Sequence, residues 1–150
     1  MNKIVRVIIL YLTTGLVWGG CMRLLFITSG AQQVLANPEF QSSKFLKVFM
    51  EYPPLPRMAG DAMLVWKGFF VCGLMAASTF LVVDRYIKGS WLRRGFTFGC
   101  MHWALMIPWF EFYLPYNVMH EPLDLVLLEC FLWFVTLQLT AIYMSLVMKI

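Results

Sequence analysis

The feature that most constrains this chain is a run of nineteen uncharged, mostly apolar residues, 130–148, followed by Lys149. A helix of that length reaches about 28 Å at ~1.5 Å per residue, close to the ~30 Å hydrocarbon core of a bilayer. Glu129 stands at the mouth of the run. A charged side chain at mid-helix costs about 2.5 to 3.5 kcal/mol even on the lenient insertion scale. A carboxyl group so placed requires a partner or a purpose.

The same pattern recurs along the chain. Segments 4–28, 61–87, 91–114 and 122–148 each combine a long apolar run with charged or helix-breaking ends, which predicts an all-α integral membrane protein with four transmembrane helices in an antiparallel bundle. Residues 1–150 read as one domain. The composition agrees: 61% of residues are hydrophobic and 13% charged, whereas a soluble domain has about a quarter charged. Lys3 and Arg6 ahead of an apolar run resemble the start of a signal peptide. The apolar stretch resumes after Arg23, however, so this segment is expected to stay as the first helix. Trp18 stands where a lipobox has Leu, which argues against lipidation of Cys21.

Local signals place the breaks. Gly30 ends the first helix, Gly89 and Ser90 supply a C-cap and an N-cap across a short connection, and Pro122 opens the last helix. So short a link makes the second and third helices antiparallel neighbours. Pro108 is expected to kink the third helix and Pro115 to end it. In the first loop, Asn37-Pro38-Glu39 carries the signature of a helix start. Phe45, Leu46 and Phe49 then share one side, which predicts an interfacial helix over residues 38–51, ended by the proline-rich stretch 52–56.

Orientation follows from Lys and Arg at the helix ends. One side holds Lys3, Arg6, Arg85, Lys88, Arg93, Arg94 and Lys149; the other holds Arg23, Lys44, Lys47, Arg57 and Lys67. Seven against five predicts cytoplasmic termini in a bacterial inner (plasma) membrane. The net charge of +4 is dispersed at helix ends rather than gathered with interleaved aromatics, so nucleic acid is not an expected partner.

Cys21, Cys72, Cys100 and Cys130 lie in four different apolar runs without a C-x-x-C pair, and read as packing residues rather than disulfides. Gly15 with Gly19, and Gly95 with Gly99, have the spacing that lets helices approach closely. Gly20-Cys21-Met22-Arg23 also resembles Gly99-Cys100-Met101-His102, a short match that fits a duplicated hairpin.

Depth brings the costly residues together. Arg23, Lys67, Glu111 and Glu129 fall in the outer leaflet, one from each helix, with Glu129 on the order of 10 Å below the start of its helix. The balance of two bases and two acids predicts that Glu129 pairs with Arg23 or Lys67. Asp61, His120, Glu121 and Asp124 form an outer rim. Glu129, Trp133, Thr136 and Thr140 share a helix face that is polar enough to point inward. The competing readings are snorkelling of Arg23 and Lys67 to the headgroups, and a protonated Glu129 acting as a hydrogen-bonding strut. His102 reads as an interhelical hydrogen bonder and His120 as a residue of a solvated turn. Both are only weak metal candidates, and no metal or other cofactor is expected.

No Walker loop, H-E-x-x-H pair or nucleophile elbow is present, so an enzyme is the less favoured class. The leading expectation is an accessory or assembly subunit that works by helix association, with lipid and other membrane proteins or itself as partners. A transporter, channel or ligand-binding protein with an outer polar site around Glu129 is the second. A small membrane enzyme using Glu129 or Glu111 as acid or base is the third.

Overall fold

The computed structural model describes residues 2–51, 53 and 61–149. Arg57 and most of the expected helix stop at 52–56 lie outside them. Among the described residues all regular structure is helical. The helices are α1 (Lys3–Met22), α2 (Ala31–Leu35), α3 (Ser43–Leu46), α4 (Ala62–Val83), α5 (Trp91–Glu111) and α6 (Leu123–Lys149). Three stretches, Lys3–Thr28, Met63–Tyr86 and Leu123–Lys149, are long and apolar enough to cross a membrane. α5 is 21 residues long, but it is diluted by Arg93, Arg94, His102 and Glu111.

Side-chain caps start most of these helices by satisfying backbone N–H groups that have no partner within the helix. Asn2 accepts from Ile4, Ser42 from Phe45, Asp61 from Met63 and Leu64, and Ser90 from Arg93. Asp61, expected at the outer rim, is therefore the N-cap of α4. Gly89 turns the chain between α4 and α5 with φ +120°, a left-handed conformation in which a Cβ is strained.

Two local expectations need correction. The helix expected in the first loop starts at Ser43, not at residue 38: the Asn37 side chain accepts from the Glu39 N–H at 3.0 Å and closes only a turn, leaving Ser42 as the true cap. Pro115 does not end the third helix, which continues past Glu111 as a segment of wider turns, Phe112–Val118. Its looser i→i+5 bonding, such as Met119 N–H to Leu114 O at 2.8 Å, accommodates a proline ring that would clash in an ordinary turn.

The long helices contact one another in the order α4, α1, α6, α5. Their cross-links run in opposite senses, so neighbours are antiparallel. Between α1 and α4, Tyr11 bonds Ser78 at 3.0 Å, while Gly15 lies against the Phe69 and Phe70 backbone and Gly19 against Trp66. Between α1 and α6, the Arg6 guanidinium donates to Met148 O at 2.9 Å, Thr13 bonds Tyr143, and Phe26 packs on Trp133. Between α5 and α6, Ser145 donates to Trp91 O at 2.6 Å, Trp103 donates to Cys130 O at 2.9 Å, Gly95 meets the Ile142 backbone, and Gly99 makes room for Gln138.

Leu10, Trp18, Phe80, Phe98, Val126, Leu137 and Met144 fill the interior. Buried hydroxyls cost little here, because Thr14, Thr136 and Thr140 each donate to the carbonyl four residues earlier in their own helix. In lipid, this close packing rather than burial from water holds helices together.

Candidate functional site

Three acids converge where α5 ends and α6 begins. Glu111 is the last residue of α5 and only 3% exposed. The widened segment after it returns the chain to α6, and His120 adopts a left-handed φ of 59° at the corner. His120 stays exposed, but the residue after it turns inward: Glu121 donates its N–H to Pro115 O at 3.0 Å, and its side chain is 3% exposed. Glu129, in the second turn of α6, is half-buried and completes the group.

The Glu111 carboxyl faces the carboxyl of Glu129 and the indole of Trp133, with Glu121 close enough to interact electrostatically with both acids. One oxygen of Glu111 and one of Glu121, Oε2 in each, is buried with no hydrogen-bond partner among the described residues. Burial, and then the neighbouring Glu129 carboxylate, push the pKa of Glu121 up to about 7.

Above the acids lies a cleft of about 320 Å³. Phe26, Phe45, Phe49, Phe110, Met119 and Trp133 wall it, and Glu111 and Glu129 reach into it. Phe45 and Phe49 come from the first loop, stacked with ring centroids 4.6 Å apart. Ser42 ties that loop to the corner by donating to Met119 O at 2.6 Å. An aromatic cap thus closes over a carboxyl floor.

The expected partner of Glu129 is the main correction. The ion pair present among the described residues joins Arg94 to Asp84 at 2.7 Å, near the far ends of α5 and α4. Arg23 and Lys67 are both exposed and neither pairs with Glu129. The reason is angular, since successive helical residues point in different directions. Phe26 packs on Trp133 of α6, whereas Arg23 is exposed and lies along a hollow against Val65, Trp66 and Phe69 of α4. The structure brings Glu111, Glu121, Glu129 and Trp133 together and leaves out Arg23, Lys67, Asp61 and the exposed Asp124. Thr136 lies a turn deeper, committed to Leu132 O.

Among the described residues no three His, Cys, Asp or Glu side chains are arranged to hold a metal ion. His102 packs edge-on to Trp18 and tilted on Phe98.

No family model, curated protein or solved structure matches this chain. Its chemistry has to be read from the site itself. An apolar aromatic pocket ending on carboxyl groups offers a cation two kinds of attraction, to the ring faces and to the acids, and repels an anion.

Proposed function

We propose that this chain is a four-span membrane protein of a bacterial inner membrane, with cytoplasmic termini, whose acidic aromatic cleft binds a lipophilic organic cation from the outer side. The observation that carries this reading is the aromatic cleft lined by Glu111 and Glu129, together with a buried Glu111 Oε2 that has no hydrogen-bond partner among the described residues. Such orphans normally cost 1–3 kcal/mol each, roughly, and are retained where a ligand or proton completes them. Crowded carboxyls hold a proton between them when the cleft is empty, and an arriving cation displaces it. Exchange of proton for cation is the elementary step of a coupled transporter or a pH-gated receptor.

The reading is tested with ethidium, a planar aromatic cation, added to the purified protein in mild detergent and followed by its fluorescence. Saturable binding is expected, tighter at pH 8 than at pH 5, and weakened about tenfold or more by Glu129→Gln, while Asp124→Asn leaves it unchanged. Binding that ignores both pH and Glu129→Gln defeats the proposal.

Helix association remains a second reading, supported by the position of α4 at one end of the helix order. Only 22% of its apolar window is buried, against 50% for α6. A partner subunit packed on α4 would be retained through purification in mild detergent and identified by mass spectrometry.

A further inference from the structure

A second cleft, of about 260 Å³, opens between α4 and α5. Its base is Trp18, Ala76 and Phe98, all nearly inaccessible, and its mouth is Met75, Met101 and Leu105, which are exposed. The mouth lies along the flanks of α4 and α5 and shares no lining residue with the acidic cleft, so a ligand reaches it from within the bilayer.

Two groups in this wall are out of place in hydrocarbon. Trp18 is 3% exposed, yet its indole Nε1–H has no acceptor among the described residues. His102, beside it with ring centroids 5.5 Å apart, makes ring contacts to Trp18 and Phe98 and no hydrogen bond among the described residues. A buried donor without an acceptor is costly in a membrane, where no bulk water substitutes.

Trp18 lies fifteen residues beyond Lys3 and ten before Thr28 in an apolar stretch, roughly 22 Å and 15 Å along a helix. Lipid ester carbonyls sit at headgroup level and do not reach that depth. An acyl chain reaches it but carries no acceptor. The missing partner is thus a lipophilic molecule with a carbonyl on a compact ring that fits about 260 Å³. Methionine sulfurs and the Phe98 face supply adaptable, polarizable walls for such a ring.

We infer that the cleft between α4 and α5 is a membrane-facing site for an isoprenoid-type quinone, whose ring carbonyl accepts a hydrogen bond from the Trp18 indole N–H beside His102. One ring carbonyl faces the wall that holds Trp18 and His102, while the tail runs out over Met75 and Leu105 into lipid. Nothing in this site depends on the acidic cleft.

The test uses purified protein in detergent titrated with decylubiquinone, read as thermal stabilisation, beside decylbenzene, which has the tail and a ring but no carbonyl. Decylubiquinone is expected to stabilise the protein saturably and decylbenzene not. Trp18→Phe keeps the ring packing but removes the donor, and is expected to weaken binding about tenfold. Glu129→Gln should leave quinone binding unchanged, which separates this site from the cation site. Equal stabilisation by the two compounds, no saturable response, or a folded Trp18→Phe protein that binds like the parent overturns the inference. Equal stabilisation is read on the native protein, so it decides the matter even if the variant does not fold.

Discussion

Glu121 shows how one backbone angle decides the character of a site. In the sequence it sits in a polar turn beside His120 and Asp124, where a solvated rim residue is the natural reading. The left-handed turn at His120 and the bond from Glu121 N–H to Pro115 O put the side chain indoors instead, and neither leaves a mark in a hydropathy pattern. With its pKa raised to about 7, Glu121 binds a proton in the folded state between about pH 4.5 and 7 that the unfolded chain has already released. Its contribution to stability therefore falls as pH rises through that window and is lost above it. The melting temperature in detergent is expected to fall between pH 5 and pH 8. Glu121→Gln should flatten part of that fall and melt higher than the parent at pH 8; a variant that melts lower at pH 8 would show that the charged form is stabilised. Glu129 teaches a related lesson. Its place near the start of the last helix was legible from the length of run behind it, but the kind of partner it meets was not, because helix rotation decides whether Arg23 or another acid faces it.

At the scale of elements, apolar runs and capping residues carry most of the information, which is why the long helices and the cap at Ser90 lie close to where local signals put them. Proline is less decisive than its reputation, since Pro115 is absorbed by a widened turn. Spacing rules also see only one side of an interface. The backbone of α4 approaches Gly15 through Gly73, where an added Cβ would collide with the Gly15 backbone, whereas Gly68 of the same helix has nothing within 4 Å of such an atom. These two glycines share a helix and a propensity, so substituting each separates packing from backbone entropy. Gly73→Ala is expected to destabilise by about 1–3 kcal/mol through overpacking against backbone that has no rotamer to yield. Gly68→Ala should be neutral or stabilise by about 0.5–1 kcal/mol from helix propensity. Denaturation of both variants in one detergent checks the pair. Equal effects would mean that α1 and α4 are not in tight contact in solution.

For the whole molecule, the direction of packing bears on how many times the chain crosses the membrane. α4 and α6 both run antiparallel to α1, as the pairings of Tyr11 with Ser78 and of Arg6 with Met148 O require, so α4 and α6 run parallel to each other. If both cross the bilayer, α4 ends on the side opposite to where α6 begins, and residues 87–122 must return across it. The element available for that return is α5, whose 21 residues give about 31 Å. Its charges suit the task, because Arg93 and Arg94 lie at one end, where Arg94 pairs with Asp84, and Glu111 lies at the other. Four crossings put both termini on one side, and three put them on opposite sides. Fluorescent-protein and alkaline-phosphatase fusions at each terminus and within residues 112–118 distinguish these outcomes. Both termini are expected to be fluorescent and phosphatase-negative, and the fusion within 112–118 phosphatase-positive. A phosphatase-positive C-terminus would remove α5 from the membrane and with it the outer position of the cleft lined by Glu111 and Glu129.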